Sequence, residues 1–476
     1  MADPDKDFVV SWVAQHGAEF KKYSDAVWSY AELGCEENLS SRLLADLLRE
    51  RGFRVEMGVA GMPTAFVASF GSGNPIVGVN CEYDALPGLS QEERSEKKPV
   101  VEGAPGHGCG HSILGVGSCL AAIALKEWLV SIRRTGVIKV LGTPAEEICI
   151  GKPFMARSGL FEGMDAIIDW HPWNHNGAGF DTSNAYFNIK YHFRGRTAHG
   201  NAPWDGRSAL DGAVLAGHAI ELLREHIPPG NPEAANTINY TFSDVGPEYP
   251  NVVPDRSTLW LVGRITTAAE MEDIIARVDK CAEGAAQATG TRVEREFITA
   301  IHETIPNKTL SAVLHRNLTE IGPPRFDLAE QKLARQMQRE LGVTETGLNE
   351  GIDEFTSGCH PVSDNSEFSW FAPFAMAWIA AGPPDIGWHN WQIAALVKGS
   401  VGHKAMVTAA KVLAASAVEL LTRTEIIATA KAELAERMPD RSYRSLIPSD
   451  IAPPLEINRK TMEKYRELMA ECYESL

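Results

Sequence analysis

Several things are scarce in this chain, and each scarcity removes a class. Basic residues are outnumbered: 45 Lys and Arg stand against 62 Asp and Glu, a formal net charge of −17. Nucleic acids and anionic membranes attract basic surfaces, so neither is expected as a partner. No apolar stretch is expected to reach the ~20 residues of a membrane span. The start, MADPDKDFVVSW, lacks the basic-then-apolar order of a secretory signal. Only eight cysteines are scattered over 476 residues. In a chain long enough to build its own core, this argues against a disulfide framework and for a reduced, cytoplasmic setting. There is no internal repeat and no low-complexity tract. No glycine loop ends in Gly-Lys-Ser/Thr, which excludes the commonest phosphate-binding turn.

What remains is ordinary globular composition, 44% apolar and 22% charged. Helical periodicity covers 8–33, 39–51, 114–130 and 152–161, and strand-like runs cover 64–70, 76–81, 137–141 and 166–169. Strands alternating with helices predict an α/β/α layer domain with a largely parallel sheet. The pattern changes at 185. Phe187, Ile189, Tyr191 and Phe193 alternate with Asn188, Lys190 and His192, as in a half-buried strand. A helix (208–226), two strands (237–242, 259–265), a helix (268–289) and a strand (292–298) follow, in the β-α-β-β-α-β order of a ferredoxin-like unit. Helices at 310–320, 328–341 and 401–421 and a strand at 375–381 restore the first pattern. The expected architecture is a catalytic α/β domain, residues 1–184 and 301–476, interrupted by a ferredoxin-like α+β insertion at 185–300.

Four short segments concentrate metal-capable side chains near strand ends and helix starts. Gly106-His107-Gly108-Cys109-Gly110-His111 packs a thiol and imidazoles among three glycines. Thr143-Pro144-Ala145-Glu146-Glu147 puts paired carboxylates where open α/β sheets bind ligands. His171 follows an apolar strand, and His403 opens a long helix. Each has a plain alternative: a glycine-rich helix entry, a solvated Glu pair, a loop histidine, a helix-end polar residue. Together they offer a thiolate, imidazole and carboxylate ligands and one spare carboxylate, the parts of a two-ion hydrolytic site. Such donors suit Zn²⁺ or Mn²⁺.

The segments GHGCGH, PAEE, the strand-terminal His171, TAHGNAPWDGRSALDG, PNVVPD and SVGHKAM occur in this order. The chain thereby resembles metallopeptidase family 20, the amidohydrolases related to aminoacylase, in its branch with a Cys-x-His metal motif. The resemblance implies two divalent ions per subunit, Mn²⁺ or Zn²⁺, held by Cys109, His111, Glu147, His171 and His403. It makes Glu146 the general base and Asp84 an acid that orients a ligand. It implies a homodimer through the insertion, with His199 reaching into the partner subunit's site. Asn251 and Arg264 fall where such enzymes bind the substrate's oxyanion side or carboxylate. His389, taken as a substrate-binding candidate, reads as an entrance or exposed loop residue. The implied reaction is hydrolysis of the amide of a small N-acyl or N-aroyl amino acid of the p-aminobenzoyl-glutamate type. Alternatives are a hydrolytic deaminase of an aromatic amine, a dipeptidase, or a non-catalytic metal-binding regulatory dimer. The chain departs from the family at Ser112, where Asp is common, and at Ile148-Cys149-Ile150, where glycines are usual. These bulkier groups are expected to reshape the pocket. His107 reads as a structural donor, Cys149 as either an extra thiol near the metals or a small buried hydrophobe, and His218 as helix packing. His175 reads as an entrance or exposed loop residue. Trp378, Trp388 and Trp391 read as either a stacking surface or core.

Overall fold

Long apolar runs with β-branched residues make central strands, and the first half of the chain supplies them between amphipathic helices. The computed structural model describes residues 3–439 and 442–473, so the extreme ends of the expected outer segments lie outside it. The chain runs α1 (Pro4–Tyr30), α2 (Asn38–Glu50), β1 (Arg54–Met57), β2 (Phe66–Ser72), β3 (Ile76–Cys81), α3 (His111–Ile132), β4 (Gly136–Gly142), α4 (Gly151–Arg157) and β5 (Ala166–Trp173). Next come β6 (Ala185–Arg194), α5 (Ala209–Arg224), a small ribbon of β7 (Gly230–Asn231) and β8 (Ala234–Ala235), β9 (Thr237–Gly246), β10 (Arg256–Ile265), α6 (Ala268–Thr289) and β11 (Arg292–Ile301). The last part holds α7 (Lys308–Ile321), α8 (Leu328–Leu341), β12 (Phe374–Ala380), α9 (Trp391–Lys398), α10 (Ser400–Thr422), α11 (Thr424–Arg437) and α12 (Arg459–Tyr473).

The main sheet has six strands in the order β1-β2-β4-β3-β5-β12. β4, β3, β5 and β12 are parallel, and β2 lies antiparallel beside β4. β12 comes from beyond the insertion yet pairs with β5, so the α/β layer is sewn from both ends of the chain. The second sheet, β11-β6-β10-β9, is antiparallel throughout and packs against α5 and α6. Its order is the ferredoxin-like one, and Phe187, Ile189, Tyr191 and Phe193 all turn inward as their alternation predicts.

Two expectations need correction. α3 and α10 are each long and apolar enough to cross a membrane, although charged residues interrupt their apolar runs. In each, 83% of the apolar window is buried inside the protein. They pack on each other and on the sheet, and a helix apolar all round is what such a central position requires. Second, His171 is not past the end of a strand. β5 continues to Trp173 because β12 supplies pairing partners, Trp378 opposite His171.

Candidate metal centre and active site

The carboxyl ends of the parallel strands converge on one rim, where ligands of open α/β sheets collect. β3 runs out into Glu82-Tyr83-Asp84, β4 into the turn with Glu146 and Glu147, and β5 carries His171. α3 begins at His111, preceded by Gly110 at φ 84°, a left-handed conformation that glycine adopts without strain. A Cβ on Gly106 would lie 2.0 Å from the Leu89 carbonyl oxygen, so the approach to Cys109 is possible only without a side chain. The Glu146-Glu147 turn is bracketed by Ala145 at φ 57° and Cys149 at φ 53°. Left-handed non-glycine residues of this kind store strain, here beside the carboxylates they aim.

Two compact groups of donor atoms share Cys109: Cys109, His111 and His171, and Cys109, Glu147 and His389; Glu82, His111 and Glu146 form a third. The Cys109 sulfur can serve two ions. Cys109 Sγ lies 3.5 Å from His171 Nε2. His171 Nδ1–H donates to the Pro172 carbonyl at 2.7 Å, which leaves Nε2 free as a candidate ligand nitrogen. His111 Nδ1–H donates to Asp84 Oδ1 at 2.9 Å, and the Glu147 backbone N–H donates to Asp84 Oδ2 at 3.0 Å. One carboxylate thus orients two candidate ligands. His389 Nε2 stands 3.2 Å from Glu147 Oε2, and its backbone N–H is tied to the Gly108 carbonyl at 3.0 Å. His111 Nε2 and Glu147 Oε1 are buried with no hydrogen-bond partner among the described residues. Buried polar atoms are normally satisfied, so these open positions fit divalent ions. Thiolate, imidazole and carboxylate are the donor types zinc and its neighbours take.

Glu146 is buried beside this centre, and Ser363 Oγ–H donates to its Oε1 at 2.7 Å. Burial, then the charge of Glu82, push its carboxyl up to about 7. A carboxylate of that basicity can accept and return a proton near neutral pH. Burial would raise Glu82 as well, yet the Lys152 ammonium at 2.8 Å, the strongest of the charges facing it, holds it down at about 2.

The centre opens into a cavity of about 360 Å³ that includes Cys109, Glu146, Glu147, His171 and His389. Trp173, Trp378 and Trp388 form an aromatic wall of this cavity, with ring centroids 5.3 Å (Trp173–Trp378) and 4.7 Å (Trp173–Trp388) apart. Arg264 also lines it, with its guanidinium 5.8 Å from the centroid of the Tyr186 ring. Of the three residues replacing the expected glycines, only Cys149 reaches this space. Ile150 is buried in the core, and Ile148 packs near Gly34.

Residues 78–391 match the family model described as Peptidase family M20/M25/M40, more than half of the chain. The chain belongs to this family. It is 33% identical over 463 residues to one of the subunits of the p-aminobenzoyl-glutamate hydrolase of Escherichia coli strain K12, covering 90% of this chain and 95% of that one. It is 32% identical over 319 residues to the Xaa-Arg dipeptidase of Mus musculus, covering 63% of this chain and 67% of that one. The solved aminobenzoyl-glutamate utilization protein from Klebsiella pneumoniae shares the fold, with a TM-score of 0.59 at 18% identity over 86% of this chain and 97% of that chain. The protein is a hydrolase acting on carbon–nitrogen bonds, and its donor groups suit the metal-dependent amidohydrolases of the M20 family.

The structure corrects the expected ligand set. His403, on α10, turns its Nε2 to Asp25 of α1 at 3.1 Å, beside Lys398, and joins none of the donor groups. His389 stands where His403 was expected. Its loop position suggests only an entrance contact, because no strand or helix pattern places it. His199 and Asn251 also lie away from this chain's cavity. They are exposed on the ferredoxin-like layer, where the Gly200 N–H donates to the Asn251 carbonyl at 2.7 Å. His218 is exposed on α5 and not packed, because the buried face of that helix is made by Ala213, Ala216, Gly217 and Ile220. His107 sits in the core with Nε2 3.0 Å from the Val27 carbonyl. His175 pairs with Asp353, and Trp391 packs on the hydrophobic core instead of the cavity. Sequence reading overlooked Glu82, Lys152 and Ser363. Glu82 had a signal, an acidic residue directly after a β-strand, like the glutamates after β4.

Proposed function

We propose that the protein hydrolyses the amide bond of an N-acyl or N-aroyl amino acid, of the p-aminobenzoyl-glutamate type. The observation that carries this is the placement of Glu146 beside the two donor groups that share Cys109, in the lining of a cavity walled by three tryptophans and Arg264. Two divalent ions, Zn²⁺ or Mn²⁺, bound at the Cys109 groups would polarise the scissile carbonyl and lower the pKa of the attacking water. Glu146 takes the proton from that water and returns it to the leaving amine nitrogen, one carboxyl group acting first as base and then as acid. Arg264 pairs with the carboxylate of the amino acid, and the tryptophan wall accepts a flat acyl group.

The active form is proposed to be a homodimer through the ferredoxin-like layer. β9 is one of the two edge strands of its sheet, with β11 at the other edge. On the same layer, Val214 (50%), Leu222 (59%) and Phe242 (39%) leave apolar side chains exposed. An apolar patch next to an open strand edge is a surface for a second copy. His199, absent from its own chain's cavity, would reach the partner subunit's site and donate to the developing oxyanion. The Escherichia coli relative is named as one subunit of a hydrolase, which makes a different subunit the competing partner.

A panel of N-acyl amino acids, p-aminobenzoyl-glutamate, dipeptides with C-terminal arginine and aromatic amines, run with each metal, tests the reaction. The expected result is release of the amino acid from an aroyl or acyl substrate. Turnover of Xaa-Arg peptides alone would favour the dipeptidase reading that the mouse relative suggests. Release of ammonia alone would favour a deaminase.

A further inference from the structure

One carboxylate beside the centre is left without a part in the proposed reaction. Glu82 follows β3 and is fully buried. Its Oε1 is held by Lys152 Nζ–H at 2.8 Å and by Asn80 Nδ2–H at 2.8 Å. Its Oε2 has no hydrogen-bond partner among the described residues and faces His111 Nε2 across 3.4 Å. His111 has committed its Nδ1–H to Asp84, so Nε2 of the neutral ring presents a lone pair. A carboxylate lone pair and an imidazole lone pair pointed at each other in a dry site repel unless a cation stands between them. Two ligand atoms each ~2.1 Å from a tetrahedral ion are roughly 3.4 Å apart, so the spacing fits one shared ion. Glu82, His111 and Glu146 also form a compact donor group of their own, through the same His111 that belongs to the Cys109 group.

We propose that Glu82 is an additional ligand of the centre, its Oε2 sharing with His111 Nε2 one of the two ions. Lys152 and Asn80 fix the opposite oxygen and so aim the free one. Lys152 is also paired with Asp364, which keeps the buried ammonium balanced while Glu82 serves a cation. This rests on the dinuclear reading given above. The rival account is a proton on His111 Nε2, which would make the contact a buried ion pair with no role in metal binding.

The two accounts separate by counting metal. The full-length protein is stripped with a chelator and titrated with Zn²⁺ against a chromophoric competitor, and bound zinc is counted by mass spectrometry. Wild type is expected to bind two Zn²⁺ per chain. Glu82→Gln is expected to bind one as tightly as wild type and the other at least ~10-fold more weakly. The amide keeps the side chain's size, and Lys152 keeps Asp364, so circular dichroism of the apo variant should match wild type. Should Glu82→Gln fail to fold, Glu82→Asp keeps the charge and withdraws the oxygen by one methylene, and the same loss of one ion is expected. Two zinc ions bound within about twofold of wild-type affinity in either folded variant overturn the proposal, and so does loss of both ions, since Glu82 reaches only one. A wild type that takes up fewer than two Zn²⁺ overturns the dinuclear reading itself.

Discussion

The loop before α9 and the first turn of α10 each carry one histidine, and the two end in opposite chemical settings. His389 has a left-handed backbone, φ 63°, and an exposed side chain, yet its Nε2 is 3.2 Å from Glu147. His403 sits in regular helix, partly covered, and faces Asp25 on the outside of the α/β layer. By sequence the ordered position looks the better ligand. The difference teaches that a metal centre at the rim of a parallel sheet is closed by loops. A helix that packs along the sheet presents its residues to other helices, and α10 packs on α1 and α3. The loop can reach over the rim because the His389 N–H is tied down to the Gly108 carbonyl in the glycine-rich segment that carries Cys109.

The comparison can be broken most severely at the base. Glu146→Gln should keep both ions and lose activity by about 10²–10⁴-fold, because an amide cannot take the water's proton. A metal-loaded variant with near-wild-type turnover would remove Glu146 from the mechanism. The ligands come next. His389→Ala should weaken zinc binding by more than ~10-fold, whereas Cys109→Ala should reduce occupancy of both ions, because Cys109 belongs both to the group with His171 and to the group with His389. Equal zinc content in His389→Ala and wild type would dissolve the contrast with His403. A smaller effect tests the partner's contribution. Glu146→Gln and His199→Ala, each inactive, are unfolded and refolded as a mixture. Mixed dimers should regain about half of wild-type activity, since two-fold symmetry leaves one site intact and puts both defects in the other. A mixture that stays inactive while wild-type dimer refolds alongside places His199 in its own chain's site. The smallest effect belongs to His403→Ala. It should leave zinc stoichiometry unchanged and lower stability by about 1 kcal/mol or less, the range of partly exposed ion pairs, as measured by denaturant unfolding.

Where one signal repeats along a segment, the sequence is readable. α6 and α8 fall where their periodicity ends, because an N-cap threonine or aspartate and a closing glycine mark both ends of each. The inserted unit is legible from the switch to period-two alternation at Ala185. Cys109, His111, Glu146, Glu147 and His171 are legible because each sits in a short segment beside a strand end or helix start. Glu82 carries the signal of an acid after a strand but stands alone there, without the paired neighbour that marks Glu146-Glu147, and Lys152 is hidden by the general rule that lysines stay in water. The short β1 and α9 carry too few residues to show a period.

By itself, then, the sequence determined the layers, the insertion and the chemical kinds of group at the rim. Those follow from local periodicity and from residue types, which are properties of short stretches. Only the tertiary structure decided which distant groups meet. It put His389 and not His403 over the rim, turned Glu82 toward His111, and left His199 on an outer face. Such meetings depend on how β12 closes the sheet against β5 and on how loops cross its edge. Those are contacts between residues hundreds of positions apart, and no local pattern encodes their distance.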